Sequence, residues 1–378
     1  MIEIPFNIST PLGRELEYVS QAVSSGKIGG GHSFGRRCRE AMEELMGSPA
    51  VLPTPSCTHA LEMCSLLLEL GPGDEVILPS FTFVSTANAF VLHGARPVFC
   101  DVRPDTLNMD EGELELLITS RTRAIVPVHY AGVGCEMDAI LAIGARHGVS
   151  VVEDNAHGLF GEYRGRALGT LGRLATQSFH ETKNLTCGEG GALVVNDPAL
   201  VERAEIIRDK GTDRSRFFRG EVDRYTWRDL GSSYRMSDIT AAFLLAQIET
   251  WPTIQERRKA LWDGYMAGLA DWAEDRNVGL PTVPDHCRQA FHMFFLLLPS
   301  LEAREALTAH LRNRGILAVF HYQPLHTSAM GRSLGGRPGD CPVTEDVSER
   351  LLRLPFYNTM TDDQHNRVVE AVREWPGP

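Results

Sequence analysis

The chain is predicted to adopt an α/β fold built on a mostly parallel sheet, with a smaller α/β unit at its C-terminal end. Three observations predict this. Between about residues 50 and 195, short apolar runs alternate with longer amphipathic stretches, the pattern of buried strands joined by crossover helices. Glycine and proline punctuate the joins, as in GPGDE at 71–75 and HGARP at 93–97, where helices stop and strands begin. Past residue 273 the alternation changes character and a new series of elements starts.

Taken in order, VLPTPSCTHALEM (51–63) reads as a strand end, a proline-held turn and a helix opening at Ser56, Cys57 and Thr58. EVILP (75–79), RPVFCDV (96–102), RAIVPV (123–128) and VSVVED (149–154) read as buried strands, and LATQSF (174–179) is strand-like. A helical stretch from about Ser237 to Ala273 is broken near Trp251 and Pro252, because proline lacks the N–H that would continue the helical ladder. MFFLLLP (293–299), LTAHLRNRG (307–315) and ILAVFHY (316–322) then read as strand, helix, strand, and the tail from Thr344 offers two more helices. We therefore expect a large domain over 1–250 and a small C-terminal domain over 251–378. A chain of 378 residues is long enough to bury a real core.

Composition narrows the function. A formal net charge of −12 argues against binding nucleic acid or an anionic membrane through a basic surface. No stretch approaches the roughly 20 apolar residues of a membrane span, and the start, MIEIPFNIST, lacks the basic-then-apolar layout of a signal peptide. A cytoplasmic protein is expected. The eight cysteines contain no C-x-x-C pair, so neither a zinc site nor a disulfide framework is signalled, and no metal is expected. No GxxxxGK[ST] loop occurs, and GGG at 29–31 follows no strand, which removes the common nucleotide readings.

Four lysines stand against 33 arginines, so the lysine at 183, close behind a probable strand, suggests a need for a primary amine. Upstream, the strand ending at VVEDNAHG delivers Glu153 and Asp154 at its carboxyl end, where open α/β sheets place ligand-contacting groups. Taken alone, the two acids read equally well as solvated or helix-capping carboxylates. Paired with Lys183, Asp154 suggests pyridoxal phosphate: the amine would hold the cofactor as a Schiff base and carry protons, and the carboxylate would keep the pyridine nitrogen protonated. Hydroxyls and free N–H groups at a helix start make an anion seat, which nominates Ser56, Cys57 and Thr58 for the phosphate, with Ser178 adding another hydroxyl. The two histidines of HYQPLH (321–326) lack a third metal ligand in view and are expected to line a pocket between the domains.

The segments GPGDEVILPSFTFVSTANA, VVEDNAHG, SFHETKN followed by GEGGALVVN, GSSYRMSDITAA and HYQPLH resemble the nucleotide-sugar aminotransferases among the fold type I pyridoxal phosphate enzymes, from near residue 4 to about 375. The stretch at 210–234 resembles more narrowly the branch that aminates C4 of dTDP-4-keto-6-deoxyglucose in enterobacterial common antigen synthesis. The resemblance implies Lys183 as the Schiff-base lysine and Asp154 as partner of the pyridine nitrogen. It also implies Ser56, Cys57, Thr58 and Ser178 around the phosphate, Phe83 stacked on the ring, and His157 beside it. Where many relatives have an asparagine that reaches the neighbouring subunit's phosphate, this chain has Ser233. Lys27, Tyr322 and His326 fall in stretches that border the sugar nucleotide. The implied reaction moves an amino group from L-glutamate to C4 of a dTDP-4-keto-6-deoxyhexose through pyridoxamine phosphate, in a homodimer with the active site at the subunit interface. Alternatives on the same scaffold are 3-amination, dehydration or a non-catalytic sugar-nucleotide binder. Dehydratases of the family carry histidine in place of the lysine, so Lys183 points away from them. The arginine-rich, lysine-poor composition suggests a GC-rich genome and raises antibiotic sugar biosynthesis beside surface polysaccharide as the pathway.

Overall fold

In the computed structural model, which describes residues 1–377, the apolar runs form one seven-stranded sheet. Its strands are β1 (Ala50–Thr54), β2 (Glu75–Pro79), β3 (Arg96–Cys100), β4 (Thr122–Ile125), β5 (Ser150–Asp154), β6 (Leu174–Ser178) and β7 (Gly191–Val195). The spatial order is β1-β7-β6-β5-β4-β2-β3. Six strands run parallel, and β7 alone is antiparallel to both neighbours. Strand β7 is an addition to the expected set. Its four-residue apolar run does not by itself distinguish a strand from a helix segment.

Both faces of the sheet are covered, which is why its strands read as continuous apolar runs rather than alternating ones. Leu52, Val76, Leu78, Ala124, Val152, Leu174 and Leu193 pack on one face with α3 (Cys57–Leu67) and α4 (Val84–Val91). Val51, Ala175, Ala192 and Val194 face the other way, against α1 (Glu15–Ser24), α2 (Ser33–Met46) and α7 (Asp238–Glu249). Ile77, Ile125 and Val151 continue that face against α5 (Met137–His147). Helix α6 (Val201–Arg208) lies on the α3 side through Ala204 and Ile207. The expected break at Pro252 is the first turn of α8 (Trp251–Asp275), where a missing N–H costs nothing.

A separate apolar cluster joins α8, α9 (Leu301–Asn313) and α11 (Asp362–Arg373) to a three-stranded antiparallel sheet. That sheet has the order β8 (Phe295–Leu297), β10 (Leu351–Arg353), β9 (Val319–Phe320). Its central strand falls between the two expected tail helices, α10 (Pro342–Arg350) and α11, and three residues are too few to show a period. Ile4 also belongs to this cluster, 1% exposed and bridged to Ile316, so the N-terminal segment crosses to the C-terminal part of the chain. Among the described residues, no helix is long and apolar enough to cross a membrane.

Candidate active site

The topology brings the carboxyl ends of β1, β5 and β6 to one crevice, the position expected for a ligand in an open α/β sheet. A cleft of about 760 Å³ opens there, roofed by residues of the second sheet. Ser56, Cys57, Thr58, Phe83, Asp154, His157, Ser178, Lys183 and Tyr322 all line it.

Asp154 ends β5 and is 4% exposed. Thr86, from α4, donates to Oδ2 at 2.8 Å, and the Ala156 N–H reaches Oδ1 at 3.2 Å. Burial raises the pKa of this acid above the usual aspartate value, against the opposing effects of Thr86 and the Lys183 charge. Glu153 points the other way, because successive strand residues face opposite sides. It is fully buried, paired to His129 Nε2 at 2.8 Å, and accepts from the N–H groups of Gly169, Leu171 and Gly172 at 2.7–2.8 Å. Burial pushes Glu153 up, but these partners outweigh it and hold the acid below its ordinary value. Only Asp154 is available to a ligand.

Lys183 sits in a turn beyond β6, its N–H donating to the His180 carbonyl at 2.9 Å. Burial lowers its amine from the ordinary 10.5 to about 8, against the pull of Asp154 and aided by the Arg353 charge. At neutral pH such an amine is closer to its free-base form than a surface lysine.

At the end of the cleft beside α3, the Ser56 hydroxyl caps the helix by accepting from the His59 N–H at 3.2 Å. Thr58 Oγ1 lies 2.8 Å from Ser85 Oγ, and Ser178 adds a third hydroxyl to the lining. Cys57 presents its backbone at the first helical turn, and burial pushes its thiol up to about 12, so it stays protonated. Gly191 allows this close approach of β7 to the helix start: a methyl there would stand 2.3 Å from the Cys57 nitrogen.

Phe83, at the mouth of the cleft, is 57% exposed, with its ring 6.4 Å from that of Tyr322. His157 is buried, stacks on His292 at 4.3 Å and lies 3.5 Å through Nε2 from the Tyr322 hydroxyl. Its Nδ1 has no partner among the described residues. Burial, reinforced by the nearby cations, holds His157, His292 and His321 well below the ordinary imidazole value, so all three are neutral at pH 7.

Three expected residues lie elsewhere. His326 does not border the cleft, contrary to expectation: it is fully buried, hydrogen-bonded between Ser80 Oγ at 2.6 Å and Glu345 Oε1 at 2.8 Å. The reason is that HYQPLH turns from the cleft wall into the core within five residues. Lys27 and Ser233 are exposed and outside the cleft of their own chain. The cleft also gains residues that the sequence did not nominate: Phe6, Thr86, His292 and Arg353. None follows a local motif, because each comes from a different segment.

The sequence pattern of the DegT/DnrJ/EryC1/StrS aminotransferase family matches residues 12–373. The chain belongs to that family. It is 33% identical over 381 residues to the spore coat polysaccharide biosynthesis protein SpsC of Bacillus subtilis (strain 168), covering 98% of this chain and 96% of that protein. Among solved structures, S. venezuelae DesV in complex with a ketimine intermediate is 31% identical, with a TM-score of 0.89 and 99% of each chain covered. Spr1654 from Streptococcus pneumoniae, solved in a PMP-form, is 26% identical, with a TM-score of 0.91 and 98% of each chain covered. The fold is thus that of the fold type I aminotransferases, and the protein is an enzyme of the aminotransferase class.

The cleft suits a phosphorylated pyridine aldehyde on its own evidence. It holds a buried carboxylate with Oδ atoms only partly satisfied, an amine with a depressed pKa, an exposed aromatic face at the mouth, and hydroxyls around a helix start suited to a phosphate.

Proposed function

We propose that this protein is a pyridoxal-phosphate-dependent aminotransferase that moves an amino group from L-glutamate to C4 of a dTDP-4-keto-6-deoxyhexose. One observation carries the reading: Lys183 and Asp154, 29 positions apart in the sequence, line the same cleft beside the hydroxyl-bearing start of α3. Family membership supports amino transfer, and the similarity to a polysaccharide biosynthesis protein supports a sugar acceptor. The 4-keto position rests on the resemblance of residues 210–234.

Pyridoxal phosphate, when bound, supplies an aldehyde that takes up an amine and a protonated ring that stabilises negative charge at the adjacent carbon. The chain supplies the rest. Lys183 holds the cofactor in the resting enzyme, takes the α-proton from the amino acid and returns a proton to C4 of the sugar. Asp154, kept anionic by the ring's positive charge, holds the proton on the ring nitrogen. Thr86 and the Ala156 N–H fix that carboxylate in place. Ser56, Thr58, Ser178 and the Cys57 N–H hold the phosphate, Phe83 covers the ring, and neutral His157 lies beside it. Tyr322 borders the space left for the sugar.

We further propose a division of the chain near residue 250 and a homodimer in which Ser233 faces the partner's phosphate. Its exposed position outside its own cleft is compatible with that role.

The test is direct. Purified protein should be yellow, borohydride should fix one cofactor on Lys183, and the product's NMR spectrum should show an amine at C4 formed with stoichiometric loss of L-glutamate. A colourless protein that takes up no pyridoxal phosphate ends the reading. A product aminated at C3, or dehydrated without glutamate consumption, ends the C4 assignment.

A further inference from the structure

We propose that His292 is a hydrogen-bond acceptor for a hydroxyl of the sugar substrate, with its tautomer set by Asn184, the residue that follows Lys183; the inference rests on the aminotransferase reading above. Asn184 is 3% exposed, and its side-chain oxygen and nitrogen are both paired. Its Nδ2 donates to the Ala290 carbonyl at 2.7 Å and to Gln255 Oε1 at 3.1 Å. Gln255 donates through Nε2 to the same carbonyl at 3.2 Å, so its oxygen is the atom left to face Asn184. A backbone carbonyl only accepts, and the opposite setting of the Asn184 amide would put two oxygens against each other. The Asn184 oxygen is therefore the atom 2.9 Å from His292 Nδ1, and that nitrogen must carry the proton.

The same surroundings keep the ring neutral and fixed. Burial, then the neighbouring His157, Lys183 and Arg258, hold the His292 imidazole well below its ordinary value. Arg258, on α8, is 1% exposed and donates from Nε to the Phe291 carbonyl at 2.8 Å and from Nη2 to the His292 carbonyl. Burial holds the pKa of that arginine down to about 9, and no carboxylate among the described residues offsets it. Its Nη1 donates to Asn358 Oδ1 at 2.8 Å, and Asn358 Nδ2 donates to the Asn184 carbonyl at 3.2 Å. One closed set of bonds thus ties His292 to the turn that carries Lys183. A neutral imidazole with its proton on Nδ1 leaves Nε2 a bare lone pair. Among the described residues Nε2 finds no donor, and it is not sealed in as His157 Nδ1 is. The ring lines the cleft, stacked on His157 at 4.3 Å. An acceptor there selects a ligand by what the ligand can donate. The carboxylates of an amino-acid donor offer only lone pairs, and its amine is engaged at the cofactor. A keto-sugar carries ring hydroxyls that donate, so His292 favours the sugar in a cleft that both substrates use.

The experiment compares wild type, His292→Phe, Asn184→Ala and Asn184→Asp, each loaded with pyridoxal phosphate and checked for equal cofactor uptake and circular dichroism. Should Asn184→Ala fail that check, the other two variants carry the test. NMR of protein labelled with 15N-histidine locates the proton, the His292 signals being those missing from His292→Phe. Wild type should show Nδ1 protonated and Nε2 bare. Asn184→Ala should lose that preference, and Asn184→Asp, which keeps an acceptor in place, should keep Nδ1 protonated. Calorimetry measures binding of the dTDP-keto-sugar to the pyridoxal phosphate form, which has no amino group to transfer. His292→Phe keeps a ring against His157 but removes the acceptor, and it should weaken the keto-sugar by about 3- to 10-fold, the range of one neutral hydrogen bond. Half-saturation by L-glutamate in the first half-reaction should stay that of wild type, and an analogue lacking the C2 and C3 hydroxyls should bind both proteins alike. A proton on Nε2 in wild type would overturn the acceptor. Equal keto-sugar binding by wild type and His292→Phe, or an undiminished loss with the deoxy analogue, would overturn the hydroxyl contact. An equal loss for L-glutamate and the keto-sugar would turn the lone pair toward Lys183 and overturn the preference for the sugar. Wild type that binds the keto-sugar through His292 but transfers no amine would overturn the transferase reading and leave the acceptor standing.

Discussion

The depressed pKa of Lys183 makes the stability of the cofactor-free protein depend on alkaline pH, with a sign fixed by the site. In the folded chain the amine titrates near 8, and in the unfolded chain near the ordinary 10.5. Between those values the unfolded state binds more protons, so stability rises with pH. Below about 8 both states hold the proton and the folded state carries the full cost of burying it; above 10.5 neither does and the cost is gone. The interval corresponds to roughly 3 kcal/mol, a large share of a domain's net stability. The perturbation is Lys183→Met, which keeps most of the length and removes the titrating group. Urea midpoints of both cofactor-free proteins, measured from neutral to strongly alkaline pH, give the comparison. Tyrosines and cysteines that titrate in the same window are common to both and cancel in the difference. Wild type minus variant should climb by about 3 kcal/mol across the window. A flat difference would mean that the amine titrates as a solvent-exposed lysine, and the enclosed position assigned to it would be wrong.

Asp154→Asn keeps the shape of the side chain and the Thr86 contact but removes the negative charge. We expect kcat to fall by about 10²- to 10³-fold, the usual cost of losing one preorganised electrostatic partner, with a thermal midpoint close to that of wild type; single-turnover rates and calorimetric melting check the two halves. His326→Ala should do the reverse. It strips Ser80 and Glu345 of their shared partner in the core and should lower stability by about 2–4 kcal/mol, as read from urea midpoints, while half-saturation by the sugar nucleotide stays that of wild type.

The pair Lys183 and Asp154 was legible because one closely follows and the other ends a strand with a strong local signal, and lysine is rare in this chain. The hydroxyl-bearing start of α3 was legible for the same kind of reason, since side chains at a helix start can be read within one turn. Other choices were not local. Sequence offers Glu153 and Asp154 on equal terms, and the pleat of β5 assigns one to a buried structural network and the other to the cleft. HYQPLH offers a tyrosine and two histidines, and the turn of the chain sends Tyr322 to the cleft and His326 to the core. Arg353 is one of 33 arginines, in a strand too short to declare itself, and only the packing of the small sheet brings it to the cleft.

By itself, then, the amino-acid order determined what short-range physics can encode: apolar runs that must be buried, prolines and glycines that end elements, and strand ends that present an acid and an amine. Tertiary structure alone decided which face each side chain took and which distant segments met. Residues 6, 86, 292 and 353 reach the cleft because two packed cores bring their backbones together. No periodicity within a single element specifies that convergence, since it depends on how whole elements bury their apolar faces against one another.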